Sequence, residues 1–295
     1  MADIWTIQKL LNWMSDYFKQ KNIDSPRFSA EMLIAHVLGM KRIELYMHFD
    51  KQVEQAKLDS LRALVKRAGQ SEPIAYLTGK TEFYSMPMFV SQACLIPRPE
   101  TELLVERAIE FLRTRSGPQY ILDLCTGCGT IAAAIAKNCP SAKVVATDIS
   151  DAALTVASQN IELHKLESQI ELLCGDLFTP VIKQLDVSAF DLIVSNPPYI
   201  STSEMQTLDK NVKDFEPHLA LHGGVDGLDI YRRILAEVEN FLKPDGVLMM
   251  EIGYGQAEAI RQMLEETGLF AKINIEKDLS NNDRIAIAKR LALLP

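Results

Sequence analysis

The segment Phe190–Tyr199 reads FDLIVSNPPY, an apolar run of strand length that ends in Asn196, two prolines and an aromatic residue. The prolines hold φ near −65°, and a residue that precedes a proline favours an extended conformation. The Asn196 side-chain oxygen and an outward-pointing proline carbonyl can then accept both hydrogens of a flat –NH2 group, with Tyr199 stacked on its plane. A rigid turn at the end of a strand is the alternative. The segment therefore predicts such a turn or a binding site for an amide or aromatic amine.

A second segment, ILDLCTGCGT over residues 121–130, leaves one predicted strand and enters a helix. Gly127 and Gly129 let the backbone turn tightly and approach a ligand closely. The pattern is not the G-x-G-x-x-G of a dinucleotide site, because Cys125 occupies the first glycine position. Asp123 before the loop suits a cofactor with an amino group and a sulfonium better than a diphosphate. This segment favours S-adenosylmethionine.

Acidic residues also follow the next two predicted strands. Asp148 ends the second strand, where a carboxylate can bind two ribose hydroxyls, and Asp176 and Leu177 follow the third, where they can flank an adenine. Each Asp could instead cap a helix or form a turn. All these positions lie at the carboxyl ends of parallel strands, where open α/β sheets bind ligands. The predicted cofactor-binding residues are Asp123, Cys125, Thr126, Gly127, Cys128, Gly129, Asp148, Asp176, Leu177 and Asn196.

From Tyr120 onward strands alternate with helices, which predicts a doubly wound α/β sheet with crossover connections. The predicted strands are Tyr120–Leu124, Lys143–Thr147, Gln169–Cys174, Phe190–Ser195, Gly246–Ile252, Ala271–Ile275 and Arg284–Lys289. The predicted helices are Ile131–Asn138, Asp151–His164, Asp229–Leu242 and Gln256–Thr267. The short loop Lys277–Asp283 between the last two strands fits an antiparallel hairpin. A seven-stranded sheet whose last strand runs antiparallel is typical of methyltransferases, not dehydrogenases.

Residues 1–80 carry apolar side chains at helical spacing, which predicts a small helical bundle domain in front of the sheet. Ser25-Pro26 marks the start of one helix, and Gly39 marks its end. We expect both tryptophans of this region to lie in the core. The bundle contains no catalytic pattern, so its expected role is to recognise a large partner or to cap the second domain.

Residues 81–98 are the predicted connection between the domains. Aromatic and apolar residues between Glu82 and Val90 predict a hairpin. Two prolines then bracket Arg98, and a helix begins near Glu100. This stretch is either a linker stiffened by proline, or it brings Arg98 and Glu100 to the edge of an active site. The methyltransferase domain would cover residues 99–295.

Charge and hydropathy limit the classes of function. The net charge is −8, and residues 1–90 hold 12 Lys and Arg against 10 Asp and Glu, so that part carries about +2 and the remainder about −10. A DNA enzyme usually shows a basic stripe, so we expect no stable nucleic-acid binding. No apolar run approaches the roughly 18 residues that span a bilayer. Since the N-terminus also lacks a signal-peptide pattern, we expect a cytoplasmic protein.

Five scattered cysteines do not suggest a disulfide framework. Cys125 and Cys128 form a C-x-x-C between a strand and a helix, but the order of elements is not that of a thioredoxin-like protein. The other cysteines form no second pair for zinc. His218 and His222 are four residues apart but lie in a stretch rich in proline and glycine, which predicts a loop. We therefore expect no metal site.

These segments together resemble the PrmC/HemK family of release-factor glutamine methyltransferases, which are class I S-adenosylmethionine-dependent enzymes. The resemblance covers nearly the whole chain. It rests on IPRPET at 96–101, DLCTGCG at 123–129, NPPY at 196–199, and FEP at 215–217 before GGVDGL at 223–228. NPPY alone is shared with DNA adenine and other amine methyltransferases, whereas the PRPET segment and the helical N-terminal region are more specific. The family more often has glycine where Cys125 stands and Ser or Thr where Cys128 stands.

The resemblance implies N5-methylation of the glutamine in the Gly-Gly-Gln motif of class 1 peptide-chain release factors, with S-adenosylhomocysteine as the second product. Asn196 and the Pro197 carbonyl would hold the –NH2 group and Tyr199 would fix its plane, so these three are the expected catalytic residues. The expected substrate-binding residues are Asn196, Pro197, Pro198, Tyr199, Arg98 and Glu100. Three alternatives remain. They are a ribosomal-protein glutamine methyltransferase, a nucleic-acid adenine N6-methyltransferase that acts on a flipped base, and a non-enzymatic nucleotide-binding or scaffold protein, which would leave NPPY unexplained.

Overall fold

The computed structural model describes residues 4–184 and 189–292. The chain forms two compact units, Met1–Lys80 with Asp209–Phe215, and Thr81–Leu208 with Glu216–Pro295. Its α-helices are α1 (Ile7–Gln20), α2 (Pro26–Leu38), α3 (Arg42–Met47), α4 (Gln55–Ala68), α5 (Ile74–Thr78), α6 (Thr101–Arg113), α7 (Thr130–Asn138), α8 (Asp151–His164), α9 (Thr179–Gln184), α10 (Lys210–Lys213), α11 (Asp229–Glu237) and α12 (Ala257–Glu266). Its strands are β1 (Lys80–Phe83), β2 (Met86–Phe89), β3 (Gln119–Leu124), β4 (Ala142–Asp148), β5 (Ile170–Cys174), β6 (Phe190–Ser195), β7 (Leu242–Glu251), β8 (Phe270–Lys277) and β9 (Asp283–Arg290). Across the described ranges, no helix is long and apolar enough to cross a membrane.

The first unit consists of α1–α5 and, from the later segment, α10. Helix α1 begins after Thr6, whose hydroxyl oxygen accepts a hydrogen bond from the Lys9 backbone N–H. Helix α2 begins with Pro26 and ends at Gly39, whose φ of +66° suits glycine. Buried Leu33 and Phe18 belong to the one hydrophobic core of this unit. The predicted helical region and the predicted bounds of α2 are therefore confirmed.

Trp13 does not lie in that core, which corrects the prediction for one of the two tryptophans. Its side chain is 47% exposed, whereas Trp5 packs partly buried against the core. Trp13 stacks on Tyr17, with ring centroids 5.6 Å apart and planes 6° apart. The buried face of α1 runs through Leu10 and Met14, and Trp13 is one position away from that face.

The predicted hairpin is formed by β1 and β2, near the start of the second unit. Its two turn residues, Tyr84 and Ser85, have φ of +51° and +57°, the backbone conformation of a two-residue turn that matches the twist of paired strands. Tyr84 is held in place because its backbone N–H donates to the Glu102 side chain at 2.8 Å. The hairpin is thereby tied to helix α6.

The main sheet has seven strands in the order β5-β4-β3-β6-β7-β9-β8. Strands β3 to β7 pair in parallel, while β9 runs antiparallel to both of its neighbours. The predicted α/β sheet with an antiparallel last strand is therefore confirmed. The order reverses direction between β4 and β6, on either side of β3, which places a crevice at the carboxyl end of β3.

Alternate side chains of each central strand enter two separate cores, one on each face of the sheet. Ile121 of β3 packs in a cluster with residues of α6 and α7, such as Leu104 and Ala133. Its neighbour Leu122 packs in a second cluster with residues of α11 and α12, such as Ile234 and Ile260. Strands buried on both faces explain the continuous apolar runs in the sequence.

Strand β7 begins at Leu242, four residues before the predicted start, and α11 ends at Glu237 instead of Leu242. The short 3₁₀ turn Val238–Asn240 follows α11. Leu242 already pairs with Phe190, and after an irregularity the pairing resumes between Val247 and Leu192. The Pro-Asp-Gly run at 244–246, which lies between the predicted helix and the predicted strand, is therefore part of an irregular strand end.

Candidate active site

The loop between β3 and α7 has three consecutive odd-numbered residues in left-handed conformations. The φ angles are +60° at Cys125, +57° at Gly127 and +80° at Gly129. A side chain on Gly127 would meet no atom within 4 Å, whereas a Cβ on Gly129 would lie 3.1 Å from the Ala157 Cβ of α8. Gly127 thus keeps the loop open to a ligand, and Gly129 allows close packing of two helices.

Asp123 lies beneath this loop and is completely buried. Its Oδ2 accepts hydrogen bonds from the Thr126 hydroxyl at 2.6 Å and the Ala132 backbone N–H at 3.2 Å. Its Oδ1 has no partner among the described residues. Burial raises the pKa of Asp123 to about 7, and the nearby charge of Asp148 adds to this rise. The carboxyl group organises the loop and leaves one oxygen available.

Asp148 at the end of β4 holds the loop from the other side. Its Oδ2 accepts from the Gly127 backbone N–H at 2.8 Å, and its Oδ1 accepts from the Ser150 N–H at 2.9 Å. Burial raises its pKa, although these backbone bonds oppose the shift. Each carboxylate oxygen keeps a further lone pair for a ligand hydroxyl.

A cavity opens above these residues at the carboxyl edge of the sheet. Its lining shows which of the predicted site residues lie together. Ten of the predicted residues line it: Arg98, Cys125, Thr126, Gly127, Cys128, Asp148, Asp176, Leu177, Asn196 and Pro198. Five lie outside the lining: Glu100, Asp123, Gly129, Pro197 and Tyr199. Residues that sequence reasoning missed include Cys94, Thr101, Ile149, His222 and Arg233.

Arg233 matters because it binds one of the predicted residues. Its guanidinium lies 2.5 Å from the Asp176 carboxylate, and both side chains are partly exposed. Leu177 beside it has a φ of +47°, and its carbonyl accepts from the buried Thr147 hydroxyl at 3.2 Å. The acid and the apolar side chain predicted to flank an adenine are therefore both held at the rim of the cavity.

The segment Asn196–Tyr199, which we term the hook, follows β6 directly. The Asn196 Nδ2 donates to the Thr101 hydroxyl oxygen at 3.1 Å, and that hydroxyl donates to Glu251 Oε2 at 2.6 Å. The Tyr199 hydroxyl donates to Glu251 Oε1 at 3.2 Å. Burial raises the pKa of Tyr199 and of Glu251. No described residue donates a hydrogen bond to Asn196 Oδ1.

Glycines behind the hook let another loop pack directly against it. A Cβ on Gly223 would lie 2.6 Å from the Pro198 carbonyl oxygen, and one on Gly227 would overlap the Tyr199 carbonyl oxygen. The Gln256 side chain donates to the same Tyr199 carbonyl at 2.9 Å. The GGVDGL segment at 223–228 therefore supports the hook from behind.

Glu216 ties the proline-rich segment to the loop after the hook. It is only 3% exposed. One oxygen lies 2.5 Å from the Arg98 guanidinium, and the other accepts from the Ile96 backbone N–H at 3.2 Å. Arg98 lines the cavity, in agreement with the interpretation that places it at the edge of an active site. Its charge, however, is paired with Glu216. Glu100 is exposed at the start of α6.

Three thiols, Cys94, Cys125 and Cys128, also line the cavity. A hydrogen bond with Cys128 lowers the pKa of Cys94, while burial raises the pKa of Cys125. The pKa of Cys128 is raised by that hydrogen bond and by burial. Within the described residues, the five cysteines form no disulfide with one another. In residues 4–184 and 189–292, no group of three or more His, Cys, Asp or Glu could hold a metal ion.

Comparison with known proteins identifies the family. The family model described as the PrmC N-terminal domain matches residues 9–79, and the one described as the methyltransferase small domain matches residues 100–225. The chain is 42% identical over 284 residues to a release factor glutamine methyltransferase of Rhodopirellula baltica, with 95% of each chain covered. It is 40% identical over 283 residues to one of Geobacter sulfurreducens, with 96% of each chain covered.

A solved structure shares the fold at low identity. The hMettl16 catalytic domain, solved in complex with a MAT2A 3'UTR hairpin, has a TM-score of 0.57 and 14% identity, with 80% of this chain and 83% of that chain covered. These relatives are of nearly equal length to this chain. The sheet order and the cavity at its carboxyl edge agree with a methyltransferase fold. The chain belongs to the family of release factor glutamine methyltransferases.

Proposed function

We propose that this protein transfers a methyl group from S-adenosylmethionine to the side-chain nitrogen of the glutamine in the Gly-Gly-Gln motif of class 1 peptide-chain release factors. Family membership supports the reaction. The observation that carries the substrate chemistry is the hook, because Asn196 presents an unpartnered oxygen while its nitrogen is bound to Thr101. An acceptor oxygen beside an aromatic ring suits a planar –NH2 group.

The cavity fits S-adenosylmethionine in its donor and acceptor groups. Asp148 would bind the ribose hydroxyls, Leu177 and Ile149 would contact the adenine, and the open side of Gly127 would admit the chain of the cofactor. The unpartnered Oδ1 of buried Asp123 is the kind of atom that a cationic group satisfies. When bound, the cofactor supplies an electrophilic methyl group on sulfur.

The residues of the hook would act on the acceptor nitrogen. An amide nitrogen is a poor nucleophile because its lone pair is delocalised into the carbonyl. Asn196 Oδ1 and the Pro197 carbonyl oxygen would each accept a hydrogen bond from the substrate –NH2 group, and Tyr199 would hold the amide plane. The nitrogen lone pair would then point at the methyl group. Alignment of the reacting atoms would supply most of the rate enhancement.

We also propose roles for the domains and the place of the reaction. Residues 1–80 would recognise the release factor, residues 81–98 would connect the domains, and residues 99–295 would bind the cofactor and perform the transfer. Class 1 release factors act in translation, so the reaction would take place in the cytoplasm. The net charge of −8 agrees with a protein substrate and not with stable nucleic-acid binding.

The test offers three acceptors with labelled cofactor: wild-type release factor, its Gly-Gly-Gln variant with Gln→Asn, and adenine-containing DNA. We expect label on the wild-type glutamine alone. Shortening the side chain by one methylene moves the acceptor nitrogen away from the methyl group, which should lower the rate on the order of 100-fold. Site-resolved mass spectrometry reads the outcome.

The control is Asn196→Ala, which should lower the rate of labelling of the release factor on the order of 100-fold, to a small residual rate, without preventing cofactor binding. Label in the DNA, or equal label in the Gln→Asn variant, would contradict the glutamine assignment. Ribosomal proteins are offered in a separate reaction, and label there without label on the release factor would replace the release factor by that partner while keeping the same chemistry.

A further inference from the structure

An asparagine amide can sit in two orientations of nearly identical shape that exchange its oxygen and its nitrogen. Only the orientation with Oδ1 towards the acceptor amide can accept its N–H, since the Nδ2 group is a donor. The reaction therefore needs a feature that distinguishes the two ends of the Asn196 side chain.

A buried chain of hydrogen bonds reaches Asn196 from a distant part of the sequence. Glu251, at the end of β7 and 1% exposed, accepts from the Thr101 hydroxyl at 2.6 Å. Thr101, the first residue of α6 and 4% exposed, accepts from Asn196 Nδ2 at 3.1 Å. The second oxygen of Glu251 accepts from the Tyr199 hydroxyl at 3.2 Å. One carboxylate thus reaches both polar side chains of the hook.

The direction of this chain follows from counting protons. The hydrogen bonds that Glu251 accepts from Thr101 and Tyr199 favour its carboxylate form and oppose the effect of burial on its pKa. A carboxylate can only accept, so the single hydroxyl proton of Thr101 is directed to Glu251. Thr101 then has only lone pairs left for Asn196, and only the –NH2 end of the amide can meet them. The oxygen end must point the other way.

We propose that Glu251 and Thr101 are positioning residues that orient the Asn196 amide, and that Glu251 also fixes the Tyr199 hydroxyl, so that the hook presents an acceptor to the substrate nitrogen. This inference rests on the proposed function only for the identity of the substrate. The orientation itself is a property of the enzyme without substrate.

Replacing Glu251 by Gln tests the direction of the chain. The shape is kept, but the amide carries one donor end. If the –NH2 end faces Thr101, the Thr101 hydroxyl accepts from it and can donate its own proton to Asn196. If the –NH2 end faces Tyr199, the Tyr199 hydroxyl loses its acceptor. We expect kcat for release-factor methylation to fall about 10- to 100-fold, with kcat/KM falling by the same factor and the cofactor Kd changing less than about threefold.

Thr101 supplies a second pair of variants if Glu251→Gln folds poorly. Thr101→Val keeps the shape and removes the hydroxyl, and should show the same loss of kcat. Thr101→Ser restores the hydroxyl and should recover activity to within about threefold. Thr267→Val is the matched control, because its hydroxyl donates to the Leu264 carbonyl at 2.7 Å and accepts from the Leu269 backbone N–H at 3.1 Å, both away from the cavity. Its kcat should not change.

Two readouts separate positioning from a general structural role. In an Asn196→Ala background, Thr101→Val should cost less than about twofold in the residual rate, because the group it orients is gone. In isotope-labelled protein without substrate, the side-chain N–H signals of Asn196 should exchange with water faster in Thr101→Val than in the wild type. The signals are assigned by their loss in Asn196→Ala.

Additive rate losses in the double variant, or unchanged exchange of the Asn196 side chain in Thr101→Val, would overturn the proposal. The exchange measurement needs no acceptor protein. If wild-type enzyme failed to methylate the release factor, the proposed function would fail, and the exchange experiment would still decide the role of Thr101.

Discussion

Cys125, in the loop between β3 and α7, has a backbone conformation that is unfavourable for a residue with a side chain. Its φ of +60° lies in the left-handed region, which is costly for a residue with a side chain. Glycine adopts that conformation freely. Cys125 packs partly buried against the core that contains Leu122 and lines the cavity. Its side chain contacts offset the backbone strain that glycine would avoid.

At the same scale, Asp123 predicts how stability depends on pH. Its folded-state pKa of about 7 lies above the ordinary value of 3.8, so the folded state favours the neutral acid. The corresponding stability is fully present below pH 3.8 and is lost as pH rises towards 7. Asp123→Asn keeps the shape without the charge. Relative to the wild type, the variant should gain about 2–3 kcal/mol between pH 5 and pH 8, at 1.36 kcal/mol per pH unit.

Denaturant titrations of both proteins without cofactor, at pH 5 and pH 8, measure this difference. Because the comparison is between two pH values, it cancels any constant cost of replacing the carboxyl group. Curves of stability against pH that run parallel for the two proteins would show that Asp123 is already ionised in the fold at pH 5.

At the scale of secondary structure, the register of three parallel strands assembles the site. Leu124 of β3 pairs with Thr147 of β4 on one side and with Ser195 of β6 on the other. The residues that follow them are therefore adjacent at one edge of the sheet. This is why the loop at Cys125, the carboxylate of Asp148 and the amide of Asn196 meet although they are far apart in sequence.

The contact of Glu216 with the proline-rich segment gives a prediction at this scale. Glu216→Gln leaves the Ile96 N–H bond in place but removes the charge that pairs with Arg98. We expect a loss of roughly 1–3 kcal/mol in the free energy of unfolding, the range for a buried charge-assisted hydrogen bond. Cofactor affinity should also fall, since Pro97 and Pro217 on either side of this contact line the cavity.

Denaturant unfolding and calorimetry with the cofactor measure the two effects. Asp59→Asn is the control, because its ion pair with Arg62 is exposed on α4 and should contribute little. Unchanged cofactor affinity in Glu216→Gln would show that the cavity wall does not depend on this ion pair.

At the scale of the whole molecule, the chain comprises two units with separate cores. The first unit includes Asp209–Phe215, which follows the hook by ten residues. All residues that line the cavity belong to the second unit. The cavity is therefore contained in one unit, so the proposed recognition role of the first unit can be tested separately from cofactor binding.

A protein that begins at Thr81 tests this division of roles. We expect it to bind the cofactor with an affinity within about tenfold of the full chain, and to lose methylation of intact release factor by at least about 100-fold. Calorimetry and labelled-methyl transfer measure the two properties. Full activity of the truncated protein would make the first unit a cap with no role in recognition.

Much of this protein follows from local patterns in its sequence. Apolar runs between Gly- and Pro-rich turns specify strands and helices because their spacing matches the period of each element. The short loop before β9 predicts its antiparallel direction, since a parallel neighbour needs a long crossover. Polar residues at the ends of strands, such as Asp148 and Asn196, indicate the candidate site because strand ends converge at one edge.

The tertiary structure decided what lies behind those residues. Thr101 and Glu251 are 150 positions apart in sequence, and nothing local indicates that one donates to the other. Glu216 lies in a recognisable motif, yet its role depends on Arg98, 118 residues earlier. Residue type predicts Trp13 in the core, but its position on α1 leaves the side chain exposed. Local patterns determine where a side chain can lie, whereas its partners depend on which distant elements fold against it.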